Sequence, residues 1–282
     1  KLRVVYRNGN TPTVTTGEIT LDRESPKVQM QVPYTVFSPN DDGNKDVLPV
    51  AIDSSAEQEW VLKILESEGN AVFNTYWNGE ADDFVWEAVN TNGDRVPDGV
   101  YTLVISSVDE AGNTGSDRIE SVTVDTAPTP VYIKPAAEGF SPDGDSEEDH
   151  IDFNLFVDVR EGIENWSVAV RPAGTGEPVR TYTSESGNIP GTVSWDGRTD
   201  EGETAPEGPY DGVLSLLYRK GNNPTAETEK AVILDITDPS IRISITPDRF
   251  SPDEDGRDDV LEIDFKAVDK SAIESWSVVI RD

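Results

Sequence analysis

Cysteine is absent from this 282-residue chain, which excludes disulfides, thiolate catalysis and a cysteine-based zinc site. Histidine occurs once, at His150, so there is no multi-histidine metal site and no Ser-His-Asp arrangement built from repeated parts. Cationic residues are scarce: 23 Lys and Arg stand against 55 Asp and Glu, a formal charge of −32. A surface of that sign repels phosphate backbones and anionic headgroups, so nucleic acid is not an expected partner. No apolar run approaches membrane-spanning length, and direct membrane insertion is not expected. No signal peptide opens the chain at Lys1, which reads as a processed or excised piece.

Hydrophobic residues amount to only 35%, yet 6 Trp, 8 Tyr and 8 Phe are spread along the whole length and supply core material that a disordered chain lacks. The length suits two or three domains. Internal repetition then decides the architecture. Three segments share one pattern: Phe37-Ser38-Pro39-Asn40-Asp41-Asp42-Gly43, Phe140-Ser141-Pro142-Asp143-Gly144-Asp145-Ser146 and Phe250-Ser251-Pro252-Asp253-Glu254-Asp255-Gly256, 103 and 110 positions apart. Trp60, Trp166 and Trp276 each open a short apolar alternation, at offsets of 106 and 110. Trp86, Gly93, Pro97, Gly99 and Tyr101 return as Trp195, Gly202, Pro206, Gly208 and Tyr210, every pair 109 apart.

The closing stretches of the unit end in Val124-Asp125 and Leu234-Asp235, ahead of Pro128 and Pro239, which read as linkers. The expected organisation is the C-terminal part of a module at 1–24, whole modules at 25–128 and 129–238, and the N-terminal part of a module at 239–282. The end pieces echo the second whole module: Tyr6-Arg7-Asn8-Gly9-Asn10 resembles Tyr218-Arg219-Lys220-Gly221-Asn222, and Ala272-Ile273-Glu274-Ser275-Trp276 resembles Gly162-Ile163-Glu164-Asn165-Trp166. Strand exchange between chains, head to tail, is one reading of those ends, and a fragment of a longer array is another. Short stretches rich in Val, Ile, Thr, Tyr and Trp are broken by Gly, Pro, Asn and Asp, without helical periodicity. The fold class is therefore all-β: tandem immunoglobulin-like antiparallel β-sandwiches, each of roughly 105 residues and seven strands.

At Trp195-Asp196-Gly197 with Asp200, Gly202, Pro206, Gly208 and Tyr210, and at Trp86, Asn92, Gly93, Val96, Pro97, Asp98, Gly99, Val100 and Tyr101, the chain resembles the Ig-like domain of the bacterial flagellar hook-capping protein. Val108-Asp109-Glu110-Ala111-Gly112-Asn113 resembles a turn of bacterial Ig-like repeats. The Phe-Ser-Pro segments resemble the start of modules in bacterial surface proteins and gliding-motility-type sorting domains. The resemblance implies a fold and an extracytoplasmic location, on the bacterial cell surface, secreted or periplasmic, more than a chemistry. The chain departs from that pattern at Asp41 and Glu254, where Gly is usual, and at Ser146, which puts the loop geometry of the second copy in question.

After each Phe-Ser-Pro, acidic or amide side chains recur at the first, third and seventh positions: Asn40, Asp42 and Asp46; Asp143, Asp145 and Asp149; Asp253, Asp255 and Asp259. Position five is Asn44, Glu147 or Arg257, so the third copy lacks a ligand there. Calcium takes about six to eight oxygens from a flexible loop, and spacing by two turns successive carboxylates toward one point. The same residues equally suit plain Asx-turns with solvated carboxylates. Both readings stay open here. A calcium affinity on the order of 10⁻⁴ to 10⁻³ M is what an extracellular module would have.

No enzyme is expected, because the carboxylates that stand out recur in every module, as structural features do. The leading expectation is a non-catalytic structural or adhesive stalk or scaffold. Its expected partners are other modules of the same chain, with a surface protein or glycan as a further candidate. A rival reading is a glycan- or protein-binding module using exposed aromatics. Trp77, beside Tyr76 and without a counterpart in the other module, is the aromatic expected to be exposed.

Overall fold

The computed structural model describes residues 1–174, 176–184, 187–269, 273 and 275–281; Ala272 and Glu274 lie outside the described residues. Every regular element among the described residues is a strand. The chain divides into two compact units, Lys1–Ala127 with Arg219–Asn222 and Pro128–Tyr218 with Asn223–Asp282.

The strands of the first unit are β1 (Leu2–Arg3), β2 (Thr13–Val14), β3 (Val28–Gln31), β4 (Val36–Phe37), β5 (Leu48–Ser54), β6 (Glu57–Leu65), β7 (Ala71–Gly79), β8 (Phe84–Trp86), β9 (Gly99–Val108) and β10 (Thr114–Val124). β1 and β2 pair as a small exposed hairpin. The others form a sandwich of a three-stranded sheet, β3-β5-β8, and a five-stranded sheet, β4-β10-β9-β6-β7. Alternation explains the layers. Along β9, Tyr101, Leu103, Ile105 and Ser107 are buried, while the residues between them face outward.

The second unit contains β11 (Val131–Pro135), β12 (Gly139–Phe140), β13 (Ile151–Val157), β14 (Ile163–Pro172), β15 (Arg180–Ser184), β16 (Thr192–Trp195), β17 (Gly208–Tyr218), β18 (Thr225–Glu227), β19 (Val232–Leu234), β20 (Ser240–Thr246) and β21 (Glu262–Val268). Its sandwich repeats the same plan: β11-β13-β16 forms one sheet and β12-β19-β17-β14-β15, with β18 also on β17, forms the other. β20 and β21 make a separate antiparallel pair.

The expected tandem all-β sandwiches are what the chain forms, with one refinement. The first strand of each sandwich is split. β3 pairs with β5 in one sheet, and after Pro33, which has no N–H for a ladder, β4 joins the other sheet parallel to β10. β12 likewise runs parallel to β19. Phe37 and Phe140 thus enter the core at the end of this second, short strand, whereas Phe250 of the third segment lies outside any strand and is 49% exposed.

That placement accounts for the spacing of the sequence landmarks. Phe37 meets Trp86 edge-on at 5.7 Å between ring centroids, and Trp86 meets Tyr101 at 5.2 Å. In the second unit, Phe140 and Trp195 are 5.4 Å apart and Trp195 and Tyr210 are 4.8 Å apart. Each such pair contributes about 0.5–1.5 kcal/mol beyond its burial. The polar atoms of these rings are satisfied from the backbone. Trp86 and Trp195 donate Nε1–H to the carbonyls of Val89 and Arg198 at 3.0 and 2.8 Å. Tyr101 and Tyr210 donate their hydroxyls to the carbonyls of Pro97 and Pro206 at 2.7 and 2.6 Å, the tyrosine corner of immunoglobulin-type sandwiches.

Candidate functional site

The acidic loops join the short core strand to the next long strand, β4 to β5 and β12 to β13. The third copy, 250–259, connects β20 to β21. All three share one backbone path. Positive φ occurs at the second, fourth and sixth positions after the proline: Asp41, Gly43 and Lys45; Gly144, Ser146 and Glu148; Glu254, Gly256 and Asp258. Ser146 holds φ 77 where the other copies have glycine, so the path in question for the second copy is kept.

Hydrogen bonds show how the path is held. The first and third side chains make Asx-turns: Asn40 accepts from the Asp42 N–H at 3.2 Å, and Asp42 from Asn44 at 2.8 Å. In the second loop, Asp143 accepts from Asp145 at 3.0 Å and Asp145 from Glu147 at 2.8 Å. In the third, Asp253 accepts from Asp255 at 3.3 Å and Asp255 from Arg257 at 2.8 Å. The seventh carboxylate reaches back across the loop and receives two N–H groups, one per oxygen. Asp46 takes those of Asp41 and Gly43, Asp149 those of Gly144 and Ser146, and Asp259 those of Glu254 and Gly256, all at 2.7 to 3.0 Å. This locking role went unread in the sequence, although the recurrence of an Asp at that offset in every copy was its signal.

The turns leave oxygens over. In the second loop, Asp143 and Asp145 each use Oδ1 for a turn, and Asp143, Asp145 and Asp149 bring one carboxylate oxygen each within 4.8 Å of one another. Asp253, Asp255 and Asp259 do the same. In the first loop, the spare oxygen of Asp42 is instead taken by the Asn40 amide at 3.0 Å. Glu147 is exposed and stands outside its cluster, and Asn44 contributes its N–H to the turn.

The structure corrects the expectation for Trp77. In the register of β6 with β7, Trp77 lies opposite Trp60, on the inward side of the strand. It is half-buried against the core and meets Phe84 edge-on at 6.5 Å. Its neighbour Tyr76 points the other way and is 66% exposed. Of the repeated tryptophans, Trp60, Trp86, Trp166 and Trp195 are buried, whereas Trp276 is 68% exposed.

His150 is exposed, with Nε2 3.9 Å from Asp152. The Ser194 hydroxyl donates to the same carboxylate oxygen of Asp152. The turn at 108–113 is an Asx-type hairpin loop. Asp109 accepts from both the N–H and the side-chain amide of Asn113, at 2.8 and 2.9 Å, and the side-chain bond above all holds its carboxyl below the usual range.

Residues 30–120 match the family model described as the CHU_C Type IX secretion signal domain. The matched stretch runs from within β3 to within β10 and includes the first acidic loop. Among solved structures, the chain is similar to a tetra-tandem repeat in the extending region of a large adhesion protein, at 19% identity and a TM-score of 0.30, covering 86% of this chain and 58% of that one. It is similar to the fibronectin(III)-like modules of CbhA from Clostridium thermocellum, at 11% identity and a TM-score of 0.38, covering 73% and 94%. A Ca²⁺-stabilized adhesin with which an Antarctic bacterium binds ice matches at 17% identity and a TM-score of 0.37, covering 87% and 59%. No curated protein matches the chain. The match to a secretion signal domain agrees with the placement expected from the sequence, outside the cytoplasm at the bacterial cell surface.

Proposed function

We propose that this chain is a non-catalytic structural or adhesive repeat region, a stalk or scaffold outside the cytoplasm, with calcium stiffening its acidic loops. Whole modules at 25–128 and 129–238, flanked by parts of modules at 1–24 and 239–282, are the units of that array. The observation that carries the reading is the twofold occurrence of one frame: the same core triad, tyrosine corner and locked acidic loop, in the same sheet order. A frame repeated with its loops intact suits a spacer that presents surfaces. The partners on this reading are neighbouring modules and a surface protein or glycan.

The second and third loops fit a hard cation best. Asp143 with Asp145, and Asp253 with Asp255, keep carboxylate oxygens free of their turns, near the oxygens of Asp149 and Asp259. An ion there would neutralise charge that otherwise repels within the loop, and so stiffen the entry to each module. Thermal unfolding of chelator-treated protein, followed by calcium titration, tests this. Midpoints should rise over a calcium range on the order of 10⁻⁴ to 10⁻³ M. Asp145→Asn should remove the increment of the second module. Melting curves that are the same in chelator and in excess calcium would remove the metal from the proposal and leave the stalk.

A further inference from the structure

Strand β7 lies at the edge of its sheet and pairs only with β6. It is nine residues long, Ala71–Gly79, with no charged side chain and no proline. Natural edges are blunted by short length, charge, proline or a covering segment, because free N–H and C=O groups invite another strand. β7 is covered only at its start, where the Thr91 N–H reaches the Val72 carbonyl at 3.1 Å. Backbone groups alternate along a strand, so Asn74, Tyr76 and Asn78 turn theirs to the same outer side as Val72. Among the described residues, no backbone group meets them there. The side chains of Asn74, Tyr76 and Asn78 are exposed as well.

The second unit covers one more group of the equivalent edge. Asp200, which stands 109 positions after Thr91, donates its N–H to the Val179 carbonyl at 2.9 Å and accepts the Thr181 N–H on its carboxylate at 3.1 Å. The strand there, β15, is five residues long and starts on Arg180. Thr91 instead directs its hydroxyl to the Val72 carbonyl and the Asn74 side chain, at 3.5 and 3.3 Å, leaving the Asn74 N–H open. Asp200 thus closes the Thr181 N–H, whereas Thr91 leaves the N–H of Asn74 open.

We propose that the outer edge of β7 is a strand-addition site for an extended segment of a partner protein, uncharged at its centre and cationic at its ends. Main-chain hydrogen bonds to Asn74, Tyr76 and Asn78 supply the pairing, and alternate side chains of the segment lie beside Tyr76. Charge selects the ends: Glu66 and Glu68 precede the strand, and Glu80, Asp82 and Asp83 follow it. A second copy of this chain, at −32, is repelled by the same field. The site goes beyond the stalk reading and does not need calcium.

The test uses the whole chain and a fluorescent peptide of alternating Thr and Val with paired Lys at each end. Anisotropy should show saturable binding, and amide exchange should slow at Asn74, Tyr76 and Asn78. Thr91→Asp, which installs the residue the second unit uses, should weaken binding at least about tenfold. Asn92→Asp adds the same charge one residue away and should leave binding unchanged. A merely electrostatic attraction to a cationic peptide would tighten in both variants, the opposite sign. The proposal fails if Thr91→Asp binds as well as the parent, or if a Glu-ended peptide binds equally. It also fails if exchange at β7 slows with protein concentration in the absence of peptide, which would mean that a second copy takes the edge.

Discussion

Replacing Tyr101 with Phe deletes a single hydroxyl from the core. The ring keeps its place against Trp86, but the bond of 2.7 Å to the Pro97 carbonyl disappears. A net hydrogen bond of this kind is worth about 1 kcal/mol, and the carbonyl left without its donor adds to the loss. For a module of roughly 100 residues, each 1 kcal/mol lowers the midpoint by about 4–8 °C. Scanning calorimetry of the full chain measures it, and Tyr210→Phe provides the matching loss in the second unit. Burial, first, with Glu66 and Asp98 adding to it, raises the Tyr101 phenol above its ordinary value of 10.0, and burial raises Tyr210 likewise. The folded state therefore favours the neutral phenol. Its contribution is complete below pH 10 and is lost as pH rises from there through the folded pKa. Phe cannot ionise, so the gap between parent and variant should narrow above pH 10. Midpoints within about 1 °C of the parent, or a gap that widens in alkali, would refute the assignment of these hydroxyls.

Two further outcomes follow from packing and charge. A Cβ at Gly212 would stand 2.7 Å from Phe153 Cε1 and 2.9 Å from its Cδ1, so Gly212→Ala should cost about 1–3 kcal/mol in urea unfolding, and Phe153→Val should recover most of that loss. Arg171 donates to Glu227 at 2.7 Å and, by that bond first, holds its carboxyl below the ordinary 4.5. That stabilisation is present above pH 4.5 and lost as pH falls through the lowered value. Arg171→Gln should return the carboxyl shift in an NMR titration toward 4.5, and an unmoved titration would assign the depression to another neighbour.

The fold was legible because landmark residues of its cores recur at a near-constant spacing. Phe37, Trp86 and Tyr101 lie far apart in sequence, yet each recurs, and recurrence without helical period leaves little besides repeated sandwiches. The split first strand was not legible, since β4 and β12 are two residues long and a pair of residues has no period to read. Trp77 was misplaced because a strand sends neighbours to opposite faces, and only the register with Trp60 says which of Tyr76 and Trp77 points inward. The acidic loops stayed ambiguous for a chemical reason. An Asx-turn and a metal site ask for the same side chains at the same spacing, and Asp145 has one oxygen for the turn and another left over. The open edge of β7 could not be read either, because sheet order is not written in a strand's own residues.

The two copies share a frame and differ around it. The triad, the corner and the seventh-position lock are kept, since exchanging any one of them alone breaks a contact made by the other members. Core filling is exchanged in pairs: where the first sandwich has Val50 and Leu103, the second has Phe153 and Gly212, a large residue admitted by the loss of its neighbour's side chain. Two exchanges outside the core stand at Asn40 against Asp143 in the loop and at Thr91 against Asp200 beside the edge. The first trades a spare carboxylate oxygen for an amide that fills the gap, and the second leaves the Asn74 N–H open where Asp200 covers the Thr181 N–H. On the strand-addition proposal, the difference at Thr91 is where the two modules, alike in frame, part in what they offer to a partner.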